Sequence, residues 1–247
     1  MNRRSFVQSV SGALAVPALA ISSERRDSSP EKPGRIMAVA AHPGDGLFTM
    51  GAALAQQIQS GGAGALLSLS LGERGAPKNI PVPQYGEMQR IATGKATQLL
   101  GAEAIFLTYP DAEIPFNEES SLAVCDAICQ YKPDVIVTHW NGSWHKDHQN
   151  CYLIVRDAVF YAGLATLART HPPHSVSKMF YADNWEDATN FVPDTYLDIE
   201  PSMKNGCRPA ISIPCGAGRQ AFSGTTSTTA LWPPCVDVSP GASVRSH

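Results

Sequence analysis

Arg35-Ile36-Met37-Ala38-Val39-Ala40-Ala41 is an apolar, strand-like run that breaks into the polar cluster His42-Pro43-Gly44-Asp45. A second run, Asp134-Val135-Ile136-Val137-Thr138, leads about a hundred residues later to His145-Lys146-Asp147-His148. Each cluster stands where a helical pattern begins. In an open α/β sheet the carboxyl ends of parallel strands form the ligand crevice, so two such loops meet in space. His42, Asp45 and His148 then offer two imidazoles and one carboxylate, a set suited to a catalytic zinc with an open position. Either cluster alone is equally well a polar loop cap; the pair, both at strand ends, points to a metal site.

Working outward from these anchors, strand and helix patterns alternate, which indicates a Rossmann-like, mostly parallel sheet with helices on both faces. The periodicity predicts strands over 35–41, 63–71, 104–108, 134–138 and 178–182, and helices over 47–60, 87–100, 122–131 and 148–163. About 180 ordered residues suffice to bury one core, so a single domain over 35–204 is expected. Gly94 sits badly in this scheme, because a glycine inside a helix costs about 1 kcal/mol against alanine.

The ends of the chain read differently. Asn2-Arg3-Arg4-Ser5-Phe6 is a twin-arginine pattern, followed by a short apolar run and the small-residue cleavage signature Ala18-Leu19-Ala20. Residues 1–20 are therefore expected to be an export signal leading to the periplasm or the outside. The run is broken by Ser9, Ser11, Gly12 and Pro17 and is too short to span a bilayer. Residues 21–34 read as a charged, disordered linker. From about Asn205 onward periodicity gives way to Gly, Ser, Thr, Pro and Cys. The placement of the six cysteines argues against a regular disulfide framework: Cys125, Cys129 and Cys151 fall in helical patterns as small apolar residues, and no CxxC spacing occurs. A net charge of −3 without a basic run excludes a nucleic-acid-binding role. No Gly-rich phosphate loop or Walker motif appears, which sets aside a nucleotide-binding α/β protein.

The two clusters also carry a resemblance. Ala41-His42-Pro43-Gly44-Asp45-Gly46, followed by Gly51 and Leu54, and later His145-Lys146-Asp147-His148, resemble the Ala-His-Pro-Asp-Asp-Glu and His-x-Asp-His motifs of the LmbE-like (PIG-L) N-acetylglucosaminyl deacetylases. Gly72-Glu73-Arg74-Gly75, Leu100-Gly101-Ala102, Tyr109-Pro110-Asp111 and the stretch from Pro193 to Ile199 extend the similarity over about residues 35–203. The resemblance implies a zinc-dependent, or otherwise divalent-metal-dependent, hydrolase that removes an acetyl group from an N-acetylated amino sugar or conjugate. It implies His42, Asp45 and His148 as metal ligands, His145 as general acid or oxyanion stabiliser, and Asp147 as the carboxylate that orients the histidine pair. Asp111, Trp144 and Asn184 are expected to line the sugar pocket; a turn-forming Asp111 and a Trp144 engaged in packing are equal alternatives.

Two departures stand against that pattern. The family's proton-accepting carboxylate is the first Asp after His-Pro, where this chain has Gly44, and the following Glu is Gly46. Three consequences stay open. The metal supplies the nucleophile unaided, at a loss of about 10²–10⁴ in rate. Alternatively Asp147, Asp111 or Glu73 takes over as base, or the chain is a catalytically impaired metal- and carbohydrate-binding relative. The tail departs too: codons compatible with Ala221–Val238, read in a shifted frame, encode a peptide like the family's missing end. Residues 205–247 are thus read as a frameshifted segment beginning near 203–206, or as a disordered low-complexity tail.

Overall fold

Met37 and Val39 turn to one side of β1 (Arg35–Ala40), and Ile36, Ala38 and Ala40 turn to the other. The strand is buried on both faces, which is why its sequence is a continuous apolar run rather than an alternating one. The computed structural model of the chain describes residues 34–182 and 189–199. The export signal, nearly all of the linker and the tail from 205 lie outside these residues.

Among the described residues nine strands and α-helices follow in order: β1, α1 (Pro43–Gln59), β2 (Ala63–Ser68), α2 (Val82–Leu100), β3 (Glu103–Phe106), α3 (Glu118–Tyr131), β4 (Val135–His139), α4 (Lys146–Ala162) and β5 (Lys178–Ala182), with a short 3-10 turn at Glu73–Gly75 between β2 and α2. The five strands form one sheet in the order β3-β2-β1-β4-β5, every pairing parallel. Leu47, Met50 and Leu54 of α1 and Ala96 of α2 pack with Ile36, Ala38 and Leu66 on one face. On the other, Val124 and Ile128 of α3 and Ile154 and Val155 of α4 pack with Met37, Val39 and Leu67. Each fully buried Leu, Ile or Met contributes about 1.5–3 kcal/mol, so the two faces together hold the sheet. The α/β fold, the parallel sheet, the single domain and the helices on both faces are as the periodicity predicts. Cys125, Cys129 and Cys151 are buried with free thiols.

Several boundaries move. The β2 ladder runs on past Ser68 only as far as the Leu69 N–H to Ala40 O and Ser70 N–H to Ala41 O bonds, both 2.9 Å. Gly72 then turns the chain away with φ 64°, a left-handed conformation that only glycine adopts without strain. All four helices begin earlier than their apolar pattern, α1 at Pro43 and α4 at Lys146. No helix among the described residues is long and apolar enough to cross a membrane.

Candidate metal centre

The chain leaves β1 toward β2 on one side and returns through α3 to β4 on the other, so β1 and β4 lie side by side at a switch point. Both polar clusters hang from their carboxyl ends. Pro43 takes the first position of α1, where its missing N–H costs nothing and its fixed φ suits the helix. His42 is thereby the cap residue and Asp45 lies in the first turn, where the helix dipole favours a carboxylate. α4 starts on His145, whose Nδ1 accepts the Asp147 N–H at 3.2 Å. Two helix N-termini thus meet at one crevice.

There Asp45 Oδ2 lies 2.8 Å from His42 Nδ1 and 3.0 Å from His148 Nε2. One ligand atom from each of these three residues falls within 4.8 Å of the others. The far nitrogen of His42, Nε2, is 3.0 Å from Asp111 Oδ1 and 3.4 Å from Asp147 Oδ2. Asp147 is fully buried, and neither of its carboxylate oxygens receives a hydrogen bond. It faces His42, one of the two histidines that the resemblance implies as metal ligands. A buried carboxylate without donors is costly unless a cation compensates it. Two imidazoles and a carboxylate are also the donor types that a borderline divalent ion such as zinc takes, so the residues fit such an ion.

Charge in the centre is distributed accordingly. Burial alone would raise the Asp45 carboxyl, but the His148 and His42 rings bonded to it hold it well below the usual range. Burial alone would lower His42, yet Asp111, Asp147 and Asp45 around its ring push it up to about 11. Burial, then the neighbouring His148 and His42, lowers His145. The same causes, burial first, take His139 down to about 3.

Asp111 is clamped. Its N–H donates to Glu73 Oε1 at 2.8 Å and its Oδ2 accepts the Arg74 N–H at 2.9 Å. Arg74 in turn pairs with Glu113. Ala112 beside it takes φ 63°, a left-handed conformation that costs an alanine about 1–2 kcal/mol, so the surroundings hold the turn in place. Trp144 stands at the rim, 68% exposed, with its ring 5.8 Å from that of His145. Asn184 lies outside the described residues.

Two further residues belong to the centre. His139, at the end of β4, is buried; its Nε2 accepts the Ala41 N–H at 3.0 Å and its ring stacks on His148 with centroids 4.1 Å apart. Ser143 Oγ lies 3.1 Å from His148 Nδ1. A histidine closing an apolar strand beside a ligand loop was the available signal for His139. A serine in a loop carries none.

Comparison with known proteins bears on the family and the fold. Residues 37–159, from β1 into α4, match the PIG-L family, GlcNAc-PI de-N-acetylase. Over 208 residues the chain is 22% identical to a 4-oxalmesaconate hydratase of Pseudomonas putida, covering 80% of this chain and 78% of that one. The 4-carboxy-2-hydroxymuconate hydratase of Pseudomonas putida superposes with a TM-score of 0.67 at 20% identity, over 75% of this chain and 80% of that chain. A conserved protein of Thermus thermophilus gives 0.60 at 25% identity, over 68% and 73%. The N,N'-diacetylchitobiose deacetylase of Pyrococcus horikoshii gives 0.61 at 18%, over 71% and 69%. These structures share the fold. The family match covers both polar clusters and the strands that carry them, and the chain belongs to the PIG-L family.

Proposed function

We propose that the chain is a metal-dependent hydrolase that removes an acetyl group from an N-acetylated amino sugar or a conjugate of one. The observation that carries this reading is the convergence of His42, Asp45 and His148 on one point at the switch-point edge, with His145 beside them. Membership of a de-N-acetylase family supports it. These three residues would hold the ion, zinc by its donor set. A bound zinc supplies Lewis acidity, polarising an amide carbonyl and making a water acidic enough to attack near neutral pH.

The remaining work falls to side chains of this protein. Because His145 Nδ1 accepts the Asp147 N–H, the neutral ring carries its own proton on Nε2. Burial keeps that ring neutral, so His145 acts as a hydrogen-bond donor: its Nε2–H bonds a carbonyl oxygen as charge develops there. Asp111 and Asp147 both serve His42 Nε2, which keeps the Nδ1 lone pair turned toward Asp45 and His148. Glu73 is engaged by the Asp111 N–H. Of the carboxylates considered as a substitute base, Asp111 is held by the Arg74 N–H and Glu73 by the Asp111 N–H, whereas neither Asp147 oxygen receives a hydrogen bond; Gly44 provides no base. Trp144, exposed beside His145, Asp111 and Asn184 are the proposed contacts to the sugar. Export through the twin-arginine-type leader, supported by Arg3-Arg4 and Ala18-Leu19-Ala20, belongs to the same reading.

The empty base position favours a second reading, a metal- and carbohydrate-binding relative with impaired turnover. Hydration, the activity named for the Pseudomonas relatives, fits less well. A carboxymuconate carries several carboxylates, whereas the described ion pairs of Asp45, Asp111 and Asp147 are all with histidine rings. A neutral, hydroxylated substrate suits a carboxylate-rich centre better.

Acetate release from a panel of N-acetylglucosamine conjugates, by zinc-loaded wild type and Gly44→Asp, tests the proposal. Slow release by the wild type and about 10²–10⁴ faster release by Gly44→Asp are expected. Release by Gly44→Asp alone would establish the binding relative. No release by either folded, zinc-bearing protein would overturn the deacetylase reading.

A further inference from the structure

Between β4 and α4 runs a short connection, residues 140–145, in which Ser143 is the one buried residue. Its hydroxyl sits between the two motif histidines. Ser143 Oγ accepts the His145 N–H at 3.1 Å and lies 3.1 Å from His148 Nδ1. A hydroxyl offers two acceptor lone pairs and one donor, so after the His145 N–H it still has a lone pair for His148. On the opposite side of the His148 ring, Nε2 faces Asp45 Oδ2 at 3.0 Å.

An imidazole that binds a cation through one nitrogen carries its proton on the other. A buried N–H left without an acceptor costs about 1–3 kcal/mol, which would fall directly on ion binding. Ser143 places an acceptor at that second nitrogen. His139 completes the seat: its ring lies parallel to His148 at an interplanar angle of 11°, and its Nε2 is tied to the Ala41 N–H. The His148 ring is thus held at one face by His139 and at its Nδ1 edge by Ser143.

We propose that Ser143 is a positioning residue of the centre: its hydroxyl accepts the Nδ1–H of His148 and so reserves the Nε2 lone pair for an ion shared with His42 and Asp45. The assignment rests on the metal reading of that triad. The same oxygen holds the His145 backbone, so one side chain sets the relative placement of the ligand histidine and of His145. Nothing in the motif spacing marks this position, because any loop serine has the same sequence signature.

Zinc affinity of the full-length protein, measured by competition with a chromophoric chelator, tests this in wild type, Ser143→Ala and Ser143→Thr. Melting of the three metal-free proteins controls for folding. Ser143→Ala is expected to bind zinc about 10–100-fold more weakly, and Ser143→Thr, which keeps the oxygen, within about threefold of wild type. Nitrogen NMR of the histidine rings gives a readout free of substitution: in the zinc-loaded wild type His148 should carry its proton on Nδ1. Three results would overturn the assignment: equal affinity in wild type and Ser143→Ala, an equal loss in both variants with unchanged melting, or a proton on Nε2. A wild type that retains no zinc would overturn the metal reading itself, and the Ser143 assignment with it.

Discussion

Gly44 and Gly46 sit one residue to either side of Asp45 in the first turn of α1, and each stands where the family pattern has a carboxylate. Their surroundings differ. A Cβ on Gly44 would meet nothing nearer than the Phe48 ring at 3.8 Å, ordinary van der Waals contact. A Cβ on Gly46 would fall 2.3 Å from Leu66 Cδ1 and 3.2 Å from Ala40 Cβ, inside the packed layer between α1 and the sheet. Gly46→Ala is therefore expected to lose about 1–3 kcal/mol of unfolding free energy, as overpacking does, and Gly44→Ala to stay within about 0.5 kcal/mol. Urea unfolding of the two variants decides between them, and equal losses would contradict the argument. The structure also explains what was legible here. His42, Asp45 and His148 could be placed because few residue types bind metal and their loops had to meet at a strand edge. Asp147 could be named through the resemblance as a carboxylate that orients histidines, and the first turn of α4 points it at His42. Ser143 was not legible as part of the centre, and His139 only as a histidine closing a strand beside a ligand loop, since their roles depend on which neighbouring groups they face.

At the scale of elements, all nine described helices and strands stand where hydrophobic periodicity puts them, and the error is systematic. Each helix starts earlier than its apolar pattern, by two residues in α4 and by five in α2. The reason is where the first turns lie. They leave the sheet at its carboxyl-terminal rim, and what they bury there is small or polar rather than large and apolar: Gly46 in α1, Ser120 in α3 and Asp147 in α4. In α1 and α4 those unpatterned first turns are the ones that carry Asp45 and Asp147, so the periodicity failed where the chemistry sits. α3 shows the contrasting case: Asn117 and Ser120 form a reciprocal capping box that marks its start. Gly94 belongs to this scale as well. It lies in the middle of α2, and a Cβ there would meet nothing within 4 Å. No packing reason for the glycine is present among the described residues. Gly94→Ala should stabilise the protein by about 1 kcal/mol through helix propensity and a smaller unfolded-state entropy. For a domain of this size that corresponds to a rise of about 2–4 °C in melting temperature. A fall in Tm would mean that the position touches something outside the described residues.

Taken as a whole molecule, the fold keeps two histidines of opposite character within one centre, and the difference sets how stability depends on pH. His42, pushed up to about 11 against its burial by Asp111, Asp147 and Asp45, is protonated below pH 6.5 in both the folded and the unfolded metal-free chain. Its contribution is constant there and is lost progressively as pH rises from 6.5 to about 11. His139 behaves in the reverse sense. Burial holds it neutral down to about 3, while the unfolded chain takes up a proton at about 6.5. Stability from His139 is thus present above pH 6.5 and lost as pH falls, by at most about 1.4 kcal/mol per pH unit. His145, also lowered, acts in the same direction, and the depressed carboxyls of Asp45 and Asp111 add their loss only below the ordinary carboxylate range. Between pH 6.5 and 4.5 the metal-free protein should accordingly lose about 2 kcal/mol or somewhat more. His139→Gln keeps an acceptor for the Ala41 N–H but removes the titrating ring, so its stability should fall less steeply over the same interval. Urea unfolding in the presence of a chelator at pH 6.5, 5.5 and 4.5 measures both slopes. Parallel slopes would mean that His139 can be protonated in place, and that the seat beneath His148 is less closed than its stacking and its bond to Ala41 require.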